Sequence, residues 1–291
     1  MESRIPLKTS NLPTVSLIIT TYNKPDYLRL VIKTALRQTV LPKEIVVADD
    51  GSTEESFEVT RELRKETGVP IVHVWQEDKG FRLNRSRNNA IAVASGEYIA
   101  LLDGDCFIGP HYIEDHAGAA RPGFYVAGTR THLLAERRDY VLRTGDVRIG
   151  VFTSGTTKRL HSIRSRLLSR LTSETGTLDE EISPVERRGV AGANLAFWRD
   201  DALKVNGFDE RFEGYGGDDV EFANRLTRAG IRRYKLEHLA VAYHFAHGGR
   251  VYDFEEVKQK CADATRVEGY RVPDDFGVTR ALRDGCDRVE R

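Results

Sequence analysis

Four short apolar runs alternate with three amphipathic segments over roughly the first hundred residues of the chain. Strands are predicted at Val15–Thr20, Glu44–Ala48, Ile71–Trp75 and Tyr98–Leu102, where β-branched and apolar residues dominate. Helices are predicted between them, the first on an i, i+3, i+4, i+7, i+8 stripe from Leu28, the others over Ser52–Lys65 and Arg85–Ala94. This order predicts a doubly wound α/β sheet that is mostly parallel.

The turns after the first two strands contain residues that commonly cap helices. Asn23 is expected to cap the first helix, with Pro25 in its first turn. Ser52 and Glu55 have the spacing of a capping box for the second helix.

The fourth strand ends in an Asp-Gly-Asp sequence, Asp103, Gly104 and Asp105. Ligands of open α/β sheets bind beyond the carboxyl ends of the strands. Two carboxylates around a flexible glycine suit Mg²⁺ or Mn²⁺ with a phosphate as co-ligand. A simple tight turn is the alternative, since Asp-Gly is a strong hairpin signal.

Polar residues also follow the first and second strands, namely Thr20 with Tyr22 and Asp49 with Asp50. The first turn lacks Gly-x-Gly-x-x-Gly, so a dinucleotide-type phosphate cradle is not expected there. A carboxylate after the second strand could accept the imide N–H of uracil, and Tyr22 could stack on the base. Helix capping is the alternative for the two aspartates.

Three arginines lie near the start of the third helix: Arg82, Arg85 and Arg87. Guanidinium groups beside a positive helix end make an anion site, for which a diphosphate is the natural guest. The alternative is a solvated basic helix end.

Composition excludes several classes of protein. Lys plus Arg and Asp plus Glu both number 44, so a global attraction to nucleic acid is not implied. The three cysteines are far apart and fit no zinc or disulfide spacing, which favours a reducing compartment. No apolar run approaches the ~18 residues of a membrane span. Met1–Pro13 has no apolar signal-peptide core, so a cytoplasmic location is expected.

The segment from Arg121 to Pro184 is the least readable part of the sequence. Basic residues accompany a helical apolar stripe within 158–171, which predicts packing against the chain's own domain or contact with an anionic membrane surface. Thr172–Ser183 is polar and is predicted to be a mobile loop.

The second half carries two further candidate features. Asn194 lies in a small apolar stretch and must be hydrogen-bonded if it is buried. Gly216 and Gly217 allow a sharp turn that presents Asp218 and Asp219 at the start of a helix. An ordinary acidic helix start is the alternative. A strand is predicted over Leu239–Tyr243, and His244 after it is either structural or part of a divalent metal site.

These motifs together resemble the inverting GT-A glycosyltransferases of family 2. The first-half motifs are Thr20–Asn23, Asp49–Ser52, Arg87–Ile91 and Asp103–Asp105. The second half resembles the C-terminal portion of β-1,4-galactosyltransferases in Gly192–Phe197, Gly207–Glu210 and Gly216–Phe222. The chain resembles still more the modules of the bacterial chondroitin polymerases, which join both kinds of motif.

The resemblance implies a GT-A fold, with a Rossmann-like, mostly parallel central sheet flanked by helices and a smaller acceptor-binding part. Five regions are expected: an N-terminal extension (1–13), a nucleotide-sugar-binding half (14–130), a variable helical and loop segment (131–185), an acceptor-binding and catalytic half (186–250) and a C-terminal helical tail (251–291).

The resemblance also implies roles for individual residues. Asp219 is the catalytic base, and Tyr215, Gly217 and Asp218 bind the acceptor. Galactosyltransferases carry Trp-Gly-Gly-Glu-Asp where this chain has Tyr215 and Asp218, so its acceptor pocket differs. Metal ligands are Asp105, Asp103 and His244, for Mn²⁺ or Mg²⁺. The donor is held by Thr20, Tyr22, Asp49, Asp50, Arg82, Arg87, Asp103 and Gly104.

The expected function is transfer of a hexose or N-acetylhexosamine from a UDP-sugar to a hydroxyl of a saccharide, which is free or lipid-linked. The transfer is expected to invert the anomeric carbon and to depend on a metal ion. The expected pathway is cell-surface polysaccharide or lipopolysaccharide synthesis. Nucleic acid is not an expected partner. Peripheral membrane contact through 158–171 at the inner face, and the oligomeric state, are left open. A sugar-phosphate nucleotidyltransferase and a non-catalytic sugar-nucleotide-binding protein are the alternatives.

Overall fold

The computed structural model describes residues 7–148, 192–214, 216–236, 239–245 and 270–291, together with the backbone of 176–178. Strands are β1 (Val15–Thr21), β2 (Glu44–Asp49), β3 (Ile71–Trp75), β4 (Tyr98–Asp103), β5 (Cys106–Ile108), β6 (Phe124–Ala127), β7 (Arg130–Leu133), β8 (Gly176–Leu178), β9 (Asn194–Trp198), β10 (Arg232–Leu236), β11 (Ala242–Phe245) and β12 (Arg288–Glu290). Helices are α1 (Pro25–Ala35), α2 (Glu54–Arg64), α3 (Leu83–Val93), α4 (Tyr112–Ala119), α5 (Ala135–Thr144), α6 (Arg199–Lys204), α7 (Asp218–Arg228) and α8 (Val278–Asp284), with a 3₁₀ turn at Asp274–Phe276.

Nine of these strands form one sheet in the order β12-β3-β2-β1-β4-β9-β6-β10-β8. The four central strands β3, β2, β1 and β4 are parallel, and β9 runs antiparallel between β4 and β6. The predicted mostly parallel sheet is confirmed. Because β9 runs against its neighbours, the start of β9 and the end of β4 lie at the same edge.

The central strands are buried on both faces. All seven residues of β1 are buried, and its alternate residues enter different apolar clusters: Leu17 and Ile19 in one, Ile18 in the other. Helix α1 covers the first face through residues such as Val31, and α3 covers the second through residues such as Ile91. Strands enclosed in this way read as continuous apolar runs, which is why they were predictable from the sequence.

A second, three-stranded sheet carries β5, β11 and β7 in that order. Its core face is aromatic: the rings of Phe107 and Tyr243 stack with centroids 5.0 Å apart, and Phe245 stacks on Tyr27 of α1 at 4.9 Å. Strand β11 spans Ala242–Phe245, so His244 lies within the strand. The sequence had predicted His244 just after the end of the strand, which is wrong.

Both predicted helix caps are wrong. Neither α1 nor α2 has a side-chain cap; their N-cap residues are Lys24 and Thr53. Instead the two turns bind each other: the Asn23 backbone N–H donates to the Ser52 hydroxyl at 2.8 Å, and the Thr53 N–H donates to Asn23 Oδ1 at 2.9 Å. The turns at the sheet edge are therefore fixed by each other.

Two other segments differ from the sequence interpretation. The middle of the predicted loop, Gly176–Leu178, is strand β8 on the edge of the large sheet, while its flanks lie outside the described residues. The C-terminal tail is not only helical, because β12 pairs antiparallel with β3. The Glu290 carboxylate of β12 accepts two hydrogen bonds from the Arg61 guanidinium.

The segment 158–171, for which packing against the domain and membrane contact were both left open, lies outside the described residues. Among the helices of the described part of the chain, none is long and apolar enough to cross a membrane.

Candidate active site

The ends of β1 and β4 bring the first predicted site residues together. Thr20 is the register partner of Asp103, and its hydroxyl donates to Asp103 Oδ1 at 3.1 Å. The Gly104 N–H donates to the Thr20 carbonyl at 2.7 Å. A Cβ at position 104 would lie 2.3 Å from that carbonyl oxygen, so only glycine fits between the two aspartates.

Asp50 lies in a buried pocket at the end of β2. Its carboxylate accepts the Arg82 backbone N–H at 2.9 Å and Gln76 Nε2 at 2.6 Å. Burial raises the pKa of Asp50 to about 6, against the opposing effect of these donors. The carboxylate is thus held rigidly at the edge where a nucleotide base is expected.

Asp49 has a different environment from Asp50. It is completely buried; its Oδ2 contacts His73 Nε2 at 2.8 Å, and its Oδ1 accepts the Ser52 backbone N–H at 2.8 Å. These contacts are the local structural role that was the alternative for this residue. Its contact with a donor stays a prediction.

Tyr22 is at the surface of this edge. Its side chain is 45% exposed, and its hydroxyl donates to Asp78 Oδ2 at 2.9 Å. Stacking of its ring on a base stays a prediction.

Asp105 and His244 meet where the small sheet adjoins the end of β4. The His244 Nε2 lies 3.5 Å from Asp105 Oδ2, and the Phe245 N–H donates to the Asp105 carbonyl at 2.9 Å. Two adjacent ligands held at about 2.1 Å from one octahedral ion lie roughly 3 Å apart, so this spacing fits shared coordination.

A metal site here needs ligands beyond the protein. Within the described ranges, no group of three or more His, Cys, Asp or Glu side chains is gathered closely enough to hold an ion alone. Mg²⁺ and Mn²⁺ commonly use one or two carboxylates together with substrate phosphates and water. The donor set of Asp103, Asp105 and His244 is chemically suited to such an ion.

The three arginines predicted as one anion site have separate partners. The Arg82 guanidinium donates to the Glu77 carbonyl, and Arg85 Nη1 lies 3.5 Å from the Glu210 carboxylate. Arg87 is only 3% exposed, so it is not part of a solvated helix end.

Arg87 connects two parts of the site. Its Nη1 binds the Asp218 carboxylate, its Nη2 lies 3.9 Å from Asp103 Oδ1, and its guanidinium stacks 4.9 Å from the centre of the Phe208 ring. The end of β4 and the start of α7 therefore meet around one buried cation. Sequence reasoning placed Arg87 near a diphosphate but did not predict its bond to Asp218.

Asp218 and Asp219 begin helix α7, as predicted, after Gly217 with φ of +88°. Asp219 Oδ2 accepts the Gly192 N–H at 3.0 Å, and Oδ1 accepts the Val220 N–H at 2.8 Å. Burial, followed by the negative charge of Asp218, raises the pKa of Asp219 to about 6. Tyr215 lies outside the described residues.

Two neighbours of the site complete the geometry. Asn194, which was predicted to be hydrogen-bonded if buried, is 1% exposed; it contacts His116 Nε2 at 2.8 Å and donates to the carbonyls of Thr129 and Ala240. His132 was not predicted: its Nδ1 lies 3.1 Å from His244 Nδ1. The only sequence signal for His132 is its polar position in the alternating stretch Arg130–Leu133.

The carboxylates and the buried arginine at the edge of this sheet can now be compared with known proteins. The chain belongs to glycosyl transferase family 2, whose sequence profile matches residues 16–174. A second profile, described as the N-terminal domain of galactosyltransferase, matches residues 180–248.

Two curated relatives illustrate the range of similar proteins. A validoxylamine A glucosyltransferase of Streptomyces hygroscopicus subsp. limoneus is 32% identical over 78% of this chain and 51% of its own length. The chondroitin synthase of Escherichia coli is 28% identical over 82% of this chain and 36% of its own length. The chain thus spans about half the length of the first relative and less of the second.

The fold is the GT-A fold. A mannosyltransferase from Pyrobaculum calidifontis, solved in complex with GDP-Man and Mn²⁺, superposes with a TM-score of 0.59 at 18% identity, covering 98% of this chain and 74% of that one.

Proposed function

We propose that this chain transfers a hexose or N-acetylhexosamine from a UDP-sugar to a hydroxyl group of a saccharide acceptor, with inversion at the anomeric carbon and with Mn²⁺ or Mg²⁺. Membership of glycosyl transferase family 2 supports the transfer itself. Family membership leaves open the donor base, the metal, the stereochemistry and the acceptor, which belong to the proposal.

One observation carries the proposal. The buried Arg87 touches Asp218, at the start of the acceptor half, and approaches Asp103, in the donor half. A donor bound at the end of β4 and an acceptor bound at the start of α7 would therefore lie beside each other. Asp219, in the same turn as Asp218, is the group placed to act between them.

The donor side uses Asp50 and the Asp103–Asp105 turn. The two Asp50 oxygens accept one hydrogen bond each from Gln76 and from the Arg82 backbone. A carboxylate oxygen can accept two, so the Asp50 carboxylate can also accept the imide N–H of uracil. Asp103, Asp105 and His244 would hold a divalent ion together with the donor phosphates, and that ion would supply positive charge against the leaving diphosphate. Thr20 holds Asp103 in place for this role.

The acceptor side uses Asp218 and Asp219. Asp219 takes the proton of the acceptor hydroxyl while that oxygen bonds to the anomeric carbon and the bond to the diphosphate breaks on the opposite face. A base with a pKa of about 6 is ionised at neutral pH and still accepts a proton well. Inversion needs this single base, whereas a glycosidase needs two carboxyl groups.

The acceptor and the cellular role follow from similarity alone. The E. coli relative is named a chondroitin synthase, and the Streptomyces relative is named a glucosyltransferase of validoxylamine A. A saccharide in polysaccharide or lipopolysaccharide synthesis, lipid-linked or free, fits the first name, and validoxylamine A fits the second. We favour the saccharide because the galactosyltransferase match covers the acceptor half.

The donor is tested by measuring nucleotide release from a panel of UDP-sugars and GDP-mannose, with Mn²⁺ and with EDTA. We expect UDP release that requires the metal and a saccharide acceptor. Guanine also presents N–H donors to a carboxylate, so a preference for GDP-mannose would overturn the UDP assignment but retain the transferase. Equal release in EDTA would overturn the metal requirement.

The base is tested by Asp219→Asn, with Asp218→Asn as the matched variant. Loss of a general base lowers kcat by roughly 10²–10⁴-fold with UDP affinity unchanged. Asp218→Asn should act mainly on the acceptor KM, because it removes a ground-state contact. An Asp219→Asn enzyme that keeps more than about a tenth of wild-type kcat would remove Asp219 from the mechanism.

The same assays separate the alternatives. A sugar-phosphate nucleotidyltransferase would release pyrophosphate from UTP, and the chain lacks the Gly-rich first loop such an enzyme uses to hold a triphosphate. A non-catalytic sugar-nucleotide-binding protein would bind UDP-sugars without turnover and would be indifferent to Asp219→Asn.

A further inference from the structure

His132 and His244 form a histidine pair on the small sheet. They are direct register partners on the adjacent parallel strands β7 and β11. Their rings meet edge to face, with centroids 5.0 Å apart, and their Nδ1 atoms lie 3.1 Å apart. His244 also lies opposite Cys106 on its other side, next to Asp105.

The sheet holds this pair rigidly. Side chains alternate along a strand, so the residues flanking each histidine face the other way. Leu133, Phe107 and Phe245 are fully buried in the aromatic cluster beneath. The two imidazoles therefore share the opposite face and stand in the geometry that their backbones impose.

A contact between two imidazole nitrogens requires one N–H and one lone pair. If His244 Nε2 is the ligand facing Asp105, its Nδ1 carries the proton of the neutral ring. That Nδ1–H then donates to the Nδ1 lone pair of His132. The proton of the neutral His132 ring is consequently on its Nε2.

We propose that His132 is a positioning residue that holds His244 in the tautomer and ring orientation needed to bind the divalent ion. Ligating histidines almost always donate their second N–H to an acceptor, which fixes the ring and raises its basicity. Here the acceptor is another histidine, supplied by the segment that connects the two halves of the chain. This role rests on the metal requirement in the proposed function.

The test compares His132→Leu with His132→Asn. Leucine fills the space but accepts no hydrogen bond. Asparagine places its amide oxygen near the position of the imidazole Nδ1 and can still accept from His244. His111→Leu is the matched control, because His111 pairs with Glu114 at the start of α4.

The main readout is Mn²⁺ affinity in the presence of UDP, measured by electron paramagnetic resonance of the free ion. Loss of an acceptor behind a metal ligand costs 10–100-fold in affinity, so His132→Leu should weaken Mn²⁺ binding by about that factor. His132→Asn should lose less than about tenfold, and His111→Leu should bind like wild type. UDP affinity without metal and the thermal midpoint monitor folding.

Each outcome decides the question. Unchanged Mn²⁺ affinity in His132→Leu overturns the role of His132, and so does an equal loss in His132→Leu and His132→Asn, which would mark His132 as a direct ligand. If wild type binds UDP but no Mn²⁺, the metal part of the proposed function fails and this inference fails with it. In ¹⁵N spectra of the imidazoles, a proton on His244 Nδ1 supports the pairing, and a proton on Nε2 contradicts it.

Discussion

Replacing Arg87 by methionine removes a buried cation that binds Asp218 and approaches Asp103. Methionine keeps an apolar stem over Phe208 but leaves Asp218 without its guanidinium partner. We expect the variant to lose stability because a carboxylate in a poorly solvated position then carries an uncompensated charge.

The magnitude follows from the exposure of the partners. Removing one member of a fully buried ion pair costs roughly 3–5 kcal/mol. The Asp218 side chain retains 15% exposure and that of Asp103 retains 29%, so water screens part of the charge left behind. We therefore expect a loss of about 2–4 kcal/mol in the free energy of unfolding.

Urea unfolding measures this loss. With a denaturant slope of about 3 kcal/mol/M, the midpoint should fall by roughly 1 M. Arg148→Met is the matched control, since Arg148 pairs with Asp146 but is 89% exposed; its midpoint should not move measurably. Asp218→Asn added to Arg87→Met should recover part of the lost stability, because it removes the unpaired charge.

The pH dependence gives a second check with a definite sign. The pKa of Asp219, whose charge also interacts with Arg87, is raised to about 6 in the folded chain, above its unfolded value. A carboxyl of this kind favours folding increasingly as the pH falls through its folded pKa. Arg87 lowers the Asp219 pKa, so without Arg87 that pKa rises further and the ionised carboxyl costs the variant more than the wild type. This extra cost disappears as Asp219 is protonated, so the deficit of Arg87→Met should shrink from pH 8 to pH 5. A deficit no larger than that of Arg148→Met, or an unchanged deficit in the Asp218→Asn double variant, refutes the reasoning.

Three further predictions concern activity and stability. The acid limb of kcat/KM should rise with pH through about 6, because the base must be ionised; a limb that survives in Asp219→Asn would belong to another group. Asp105→Ala should abolish the enhancement of UDP affinity by Mn²⁺ seen in titration calorimetry, while Asp26→Ala, in the first turn of α1, should retain it. Glu290→Gln should lower the thermal midpoint by loosening β12, because the Glu290 carboxylate pairs with Arg61 and lies 3.6 Å from Arg64. An unchanged midpoint would show that these ion pairs do not hold the strand.

The sequence predicted strands β1 to β4 well because they are enclosed on both faces. Ile71–Trp75 was predicted with its observed bounds, and the other three strands differ by one residue at the end. The stripe from Leu28 identified α1 because one face of that helix packs on the sheet. In these elements the local pattern and the tertiary environment agree.

The caps could not be predicted, because they depend on two turns that are distant in sequence. Asn23 and Ser52 have the residue types of helix caps, and each uses its side chain on the other turn. Local spacing contains no information about which of two nearby turns receives a hydrogen bond. The short strand β12 was missed for a similar reason, since its polar residues pair with an edge strand that only the fold provides.

The carboxylate partner of Arg87 could not be predicted from the sequence. A run of three arginines at a helix start usually indicates a solvated surface or an anion site. The partner that draws Arg87 inward, Asp218, lies 131 residues further along the chain. His132 escaped notice because a single histidine in a four-residue strand is unremarkable until its neighbour His244 is known.

The contact between Gly192 and Arg87 has a consequence for recombining enzymes of this family. A Cβ at position 192 would lie 2.4 Å from Arg87 Nη2, although the two residues belong to different halves of the chain. Position 192 can therefore carry a side chain only where position 87 is shorter or displaced. A chimera that joins the N-terminal half of one parent to the C-terminal half of another must inherit a compatible pair at these positions, a condition that neither parental half reveals when it is inspected alone.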